Sequence, residues 1–327
     1  LYKAVLTGFS GFDSEIAVQV FSELQNDPSL MTLWTFISLA ITGSIIYLGI
    51  NRGIEKSVRV LMPTLLLLML VLVIYNVFQD GFDSALTYLF SPDFSKIDGS
   101  TFLAAIGQAF FSVGVAMAGM MIFGSYLPAN VSIAKCALII ILIDTLIALL
   151  AGMMIFPIVF RFDLDPASGT GLIFQTLPIA FAQIPAGNFI AIVFFTLLSL
   201  AAITSMVGFL EPLVAWLSET KKVGREKATV TMIFLLGTLG LASVLSYSTF
   251  SEIQIIGRDL NGILDFLSSQ ITLPIGGLLI ALFIGWRVGE NTLRSELSDL
   301  SNATFVAWHL LIRYPLPIAI ILILITG

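Results

Sequence analysis

Apolar residues fall in long runs separated by short polar connectors. Runs of helix-spanning length lie near 31–50, 59–79, 101–126, 134–160, 187–217, 228–248, 261–286 and 303–326. At ~1.5 Å rise per residue, about 20 apolar residues cross the hydrocarbon of a bilayer. The pattern predicts an all-α, polytopic transmembrane bundle of eight spans.

The connectors alternate in charge. Arg52, Lys56, Arg59, Lys135, Lys221, Lys222, Arg225, Lys227, Arg287, Arg294 and Arg313 fall on one side. Lys3, Lys96, Arg161 and Arg258 fall on the other, with most of the acids, including Asp80, Asp83, Asp93, Asp98, Asp163 and Asp165. Basic residues gather on the cytoplasmic side of membrane proteins. The bias therefore places the 51–58, 127–133, 218–227 and 287–302 connectors in the cytoplasm. Residues 80–100 read as an acidic, turn-rich extracellular segment. Residues 161–186 contain the short apolar patch Leu172–Leu177, too short to span. They read as a lid-like or re-entrant helical hairpin, or as an ordinary amphipathic loop helix.

Composition agrees with this reading. Hydrophobic residues make up 57% of the chain and charged residues 11%, with mean hydropathy +1.01. Soluble domains carry about 25% charged residues. One cysteine, Cys136, excludes an internal disulfide framework. The single histidine, His309, argues against a His-rich metal site or a Ser/His/Asp triad.

Three features could carry chemistry. Asp144 is the only charged residue between Cys136 and Phe160. A carboxylate at the centre of a span costs at least ~2.5 kcal/mol, so it marks an ion or proton site unless a neighbouring helix holds it protonated or it snorkels to an interface. The third span contains Gly107, Gly114 and Gly119 around Phe110-Phe111-Ser112. Such clustering suits either a broken helix lining a cavity or close packing through small residues. In the fifth span, Thr204 and Ser205 either back-bond to the preceding turn or offer oxygens to a hard cation. Glu211-Pro212 follows about two turns later, and Gly53 and Pro63 weaken the inner end of the second span.

Several stretches together resemble the neurotransmitter:sodium symporter family. They are Gly53-Ile54-Glu55-Lys56, Ser91-Pro92-Asp93-Phe94, Ala105 to Ser112, Gly171 to Phe174 with Thr176-Leu177-Pro178, and Thr204-Ser205. The resemblance implies a LeuT-like inverted-repeat fold with broken helices. The eight spans would be family helices four to eleven, and residues 1–8 the tail of helix three. The chain, residues 1–327, then reads as one transmembrane transporter domain lacking the first two to three helices, a fragment of a longer transporter.

By the same resemblance, Phe111, Ser112, Gly114, Met117, Ser205 and Phe209 face the substrate. Ser112 and Asp144 would bind one sodium ion, and Ala201, Thr204 and Ser205 a second. Ser125, Tyr126 and Glu219 would form the inner gate, and Asp265 the acidic side of the outer gate. The Gly53–Pro63 segment would unwind to admit water. Ala148 stands where some bacterial relatives carry a carboxylate, so the charge has moved to Asp144. Gly114 and Met117 read as enlarging and softening the pocket.

The implied function is sodium-coupled symport of large hydrophobic or aromatic L-amino acids by alternating access in a bacterial inner membrane. Two sodium sites, an amino-acid substrate and the lipid bilayer are the expected partners, with no organic cofactor, no nucleic acid and no enzymatic step. The alternative on the same scaffold is a sodium-independent amino-acid sensor or channel.

Overall fold

The computed structural model describes every residue except 7, 9–13, 115, 129, 164–170, 252, 255, 256 and 327. Among the described residues the ordered elements are helical: α1 (Tyr2–Leu6), α2 (Ser14–Asn26), α3 (Pro28–Tyr47), α4 (Ile50–Val77), α5 (Phe82–Phe90), α6 (Gly99–Val113), α7 (Gly119–Ser125), α8 (Ile133–Arg161), α9 (Leu172–Gln183), α10 (Gly187–Lys221), α11 (Arg225–Ser246), α12 (Leu260–Arg287), α13 (Glu290–Glu296), α14 (Asn302–Arg313) and α15 (Pro315–Thr326). The first turns of α4 and α9 and two stretches of α12 are wound as π-helix.

Among the described residues, seven segments are long and apolar enough to cross a membrane. Two of the eight expected runs are interrupted. The 101–126 run is two shorter helices, α6 and α7, because the chain turns left-handed at Gly114 and Ala118. The 303–326 run is divided at Tyr314, whose backbone leaves helical geometry just before Pro315. A proline disfavours helical geometry in the residue before it and supplies no N–H of its own.

The connectors are also more ordered than expected. The predicted 51–58 loop is helical, and only Leu48 and Gly49 separate α3 from α4. The acidic 80–100 segment contains α5. In the 161–186 hairpin, 164–170 lie outside the described residues, as does Asp165; the described part forms α9.

The chain divides into two compact units. The first comprises Leu1–Pro92 and Ile147–Ile253. Its core joins Leu65, Met69 and Leu72 of α4, Met154 and Ile158 of α8, Phe181 of α9, and Ile190 and Phe194 of α10. Two polar devices hold this apolar packing in register. Pro157 interrupts α8 and frees the carbonyl of Met153. Buried Asn76 of α4 donates its side-chain amide to Met153 O at 3.3 Å and Met154 O at 2.5 Å, restoring the lost bond from outside the helix. In hydrocarbon no water could take that role.

The second device is an ion pair. Glu211, fully buried in α10, binds Arg225 at the start of α11. Arg225 Nε also donates to Ile46 O at the end of α3, at 2.9 Å. One guanidinium thus ties three helices, and a cation suits the negative end of α3.

The second unit comprises Asp93–Leu146 and Gln254–Gly327. In it α6 and α15 pack on the middle of α12, and α14 packs on its end. Gly277 of α12 allows the close approach of Phe110, whose ring carbons would collide with a Cβ there. Asp98 caps α6: its carboxylate accepts the Thr101 amide at 2.9 Å, while the Thr101 hydroxyl accepts the Asp98 amide at 3.3 Å. Hydrogen bonds from Ser100 and Thr101 hold its carboxyl at a pKa of about 2.

Candidate functional site

The break between α6 and α7 creates the first site. Gly114 takes φ +66° and ends α6 by donating to the carbonyls of Phe110 and Phe111, at 3.1 and 3.2 Å. The Met117 amide then bonds to Gly114 O at 3.2 Å, rounding the turn toward α7. A helix end leaves its last carbonyls without helical partners and carries partial negative charge. Ser112 lies in that last turn. Its hydroxyl meets both oxygens of Asp144, at 2.9 and 2.8 Å.

Asp144 is half-buried on α8, and among the described residues no Lys or Arg pairs with it. Ser112 can donate one proton, which leaves most of the carboxylate's acceptor capacity open. A carboxylate, a hydroxyl and the negative end of a helix form an all-oxygen, net-negative set. Hard monovalent or divalent cations prefer such oxygen ligands.

A cavity of about 300 Å³ lies in the same unit. Phe111 and Asp265 both line it, with Gln108 of α6, Ser269 and Gln270 of α12, and Ile320 of α15. Ser269 Oγ donates to Asp265 Oδ1 at 3.2 Å, one helical turn away. Ser269 and Gln270 were not among the sequence-predicted site residues. The four-residue Asp265–Ser269 spacing is the signal that could have found Ser269, once the segment is known to be helical. Met117 is half-buried beside the break, 3.9 Å from where a Cβ on Gly114 would sit. Gly114 therefore has a backbone reason to be glycine in addition to pocket volume, since an L side chain is strained in the left-handed region.

The second predicted cation set lies on α10, in the first unit. Thr204 Oγ1 donates to the carbonyls of Ala201 at 2.9 Å and Leu200 at 3.1 Å, the ordinary back-bond of a helical threonine. Ser205 and Phe209 are exposed one turn apart on the same face, and Ala201 lies one turn before Ser205. The structure brings Ala201, Thr204 and Ser205 together on one helix. They supply hydroxyl and carbonyl oxygens but no charge.

The gate candidates stand as follows. Ser125 Oγ donates to Ile122 O at 2.7 Å at the end of α7, and the Tyr126 ring meets Phe123 edge-on. Glu219 is exposed near the end of α10. Gly53 sits where a Cβ would collide with the Ile45 carbonyl oxygen, so only glycine lets the first turn of α4 press on α3. Pro63 lies within α4, and the Gly53–Pro63 segment is wound.

The family model for the sodium:neurotransmitter symporters matches residues 17–327. The chain belongs to the sodium:neurotransmitter symporter family. It is thus a multi-pass membrane protein of a transporter family and not an enzyme. A sodium-dependent transporter of Bacillus subtilis, YhdH, is 32% identical over 99% of this chain and 72% of its own length. A sodium-dependent transporter of Haemophilus influenzae is 34% identical over 92% of this chain and 66% of its own length. Both are described as uncharacterized. The crystal structure of MhsT in complex with L-phenylalanine superposes with a TM-score of 0.88 at 34% identity. It covers 99% of this chain and 74% of the MhsT chain. The fold is accordingly the LeuT-like arrangement of broken helices that the sequence predicted.

Proposed function

We propose that this member of the sodium:neurotransmitter symporter family takes part in sodium-coupled symport of large hydrophobic or aromatic L-amino acids, by alternating access. The observation that carries the reading is the Asp144–Ser112 pair at the end of broken helix α6. An intramembrane carboxylate held, among the described residues, by a hydroxyl alone leaves room for an exchangeable cation, and Na⁺ at the negative helix end would offset its charge. A Na⁺ crossing 100 mV contributes ~2.3 kcal/mol, so two ions would drive considerable accumulation. Ala201, Thr204 and Ser205 are the proposed ligands of the second ion. The inner gate is assigned to Ser125, Tyr126 and Glu219, the outer gate to Asp265, and water entry to unwinding of Gly53–Pro63. α9, the described helix of the 161–186 segment, is assigned to a lid.

Substrate size is inferred from Gly114, Met117, Phe111, Ser205 and Phe209. A pocket with a glycine and an adaptable methionine accepts a large side chain. The similarity to a protein crystallised with L-phenylalanine supports the same class. With Ala148 in place of a second carboxylate, Asp144 supplies the negative charge beside Na⁺ and makes transport independent of chloride.

The test is equilibrium binding of labelled tryptophan to the full-length protein, in Na⁺ and in choline, with Asp144→Ala alongside. Binding that needs Na⁺ and weakens in the variant is the expected result. Equal binding in both salts would remove sodium coupling. Uptake with gluconate replacing chloride is expected to be unchanged.

A further inference from the structure

Arg313 closes α14 at the point where the last span is interrupted. Its guanidinium lies 4.4 Å from the centre of the Trp286 ring and 5.6 Å from that of Tyr314. The two rings meet edge-on at 5.6 Å, and the Trp286 indole N–H donates to Arg313 O at 3.1 Å. Gly285 lies against Arg313 Cα, so the end of α12 and the end of α14 are fixed together. Arg294, nearby in sequence, is bound to Glu290 and Asn302. Arg313 has no carboxylate partner among the described residues, and its Nε is buried without a hydrogen bond. One helical turn earlier, His309 Nε2 is buried without a partner as well.

A guanidinium is an obligate donor, and one without a carboxylate partner calls for an acceptor. The surroundings define it. Trp and Tyr mark the water interface of a membrane. The charge bias places this end of α12 on the cytoplasmic side. Two exposed apolar stripes lead away from the touching rings into the span: Phe283 and Leu279 on α12, and Ile318, Leu322 and Ile325 on α15. A cation framed by aromatic rings, at the inner end of two apolar stripes, complements an anionic lipid.

We infer that Arg313, with Trp286, Tyr314 and His309, forms a site for the phosphate of an anionic phospholipid of the cytoplasmic leaflet. The guanidinium presents its two Nη groups to two phosphate oxygens, a bidentate geometry that lysine cannot copy. The rings flank the headgroup, and the stripes on α12 and α15 receive the chains. The site is independent of sodium and of the transported substrate.

Native mass spectrometry of the full-length protein, exchanged into phosphatidylglycerol or phosphatidylcholine, tests this. The wild type is expected to retain phosphatidylglycerol about tenfold over phosphatidylcholine, as a charge-assisted pair should provide. Arg313→Gln is expected to bring the two lipids to parity, and Arg313→Lys to keep part of the preference. Equal retention by the wild type overturns the proposal without needing any variant. An undiminished preference in a folded Arg313→Gln also overturns it. Displacement of phosphatidylglycerol by excess inorganic phosphate would assign the site to a free anion and overturn the lipid.

Discussion

Asp144 and Glu211 both lie on membrane-spanning helices of this protein, and they are held in opposite ways. Glu211 is fully buried and carries its own cation, Arg225, which is anchored in turn to Ile46 O. Asp144 is half-buried and, among the described residues, meets only the hydroxyl of Ser112. A carboxylate with a built-in guanidinium is electrically finished and serves to fix helices. A carboxylate with a single hydroxyl donor remains incomplete, and an exchangeable cation can complete it. The same chemical group therefore serves structure in one unit and points to ligand binding in the other.

The largest effect should come from breaking the finished pair. Glu211→Ala leaves Arg225 charged, partly buried and without its counter-ion, which costs up to about 3–5 kcal/mol. Thermal unfolding in detergent should show a large fall in Tm for this variant. Asp144→Ala should do the reverse, because it removes an uncompensated charge. Its Tm in sodium-free buffer is expected to equal or exceed that of wild type, while Na⁺ affinity falls about 10- to 100-fold. A loss of stability in Asp144→Ala as large as in Glu211→Ala would erase the distinction.

Gly114→Ala sharpens the comparison from the backbone side. The substitution adds one methyl group in a left-handed turn and should cost about 1–2 kcal/mol. That cost should appear as a lower Tm and, if the break positions Ser112, as weaker sodium binding too. Ser112→Ala should weaken sodium binding about tenfold, the effect of one hydrogen-bonding group beside a charge, with little change in Tm.

These contrasts were only partly readable in the sequence. The long apolar runs and the alternating charges sufficed for a polytopic helical bundle. Asp144 stood out because a span contains so few charges. The glycines at 107, 114 and 119 left a broken helix and close packing both open; the left-handed turns at Gly114 and Ala118 decide for the break. The partner of Glu211 was not legible, because Arg225 lies 14 positions on and reads as one of several cytoplasmic basic residues. Asn76 was missed for a similar reason. Its role is to mend the gap that Pro157 leaves in another helix, and no local pattern links the two. Gly53 was read as a weak point of the helix, whereas its close approach to Ile45 makes it a packing contact as well.

The smallest expected effect tests the uncharged set on α10. Thr204 already donates its hydroxyl to Ala201 O and Leu200 O, so its proton is engaged while its lone pairs keep their acceptor capacity. A sodium ion bound there would take a lone pair and leave the back-bond in place, because metal binding and donation use different parts of the hydroxyl. Thr204→Val keeps the shape and removes the oxygen. The back-bond slightly disfavours the helix, so stability should hold or rise by a few tenths of a kcal/mol. A second sodium ion bound at this set should be weakened by only about threefold to tenfold, since one neutral ligand among several is lost. Sodium titrations of tryptophan binding should then show a lower Hill slope with the midpoint of the Asp144 site retained. A Thr204→Val variant that loses all sodium response would mean that the uncharged set, and not the carboxylate, dominates coupling.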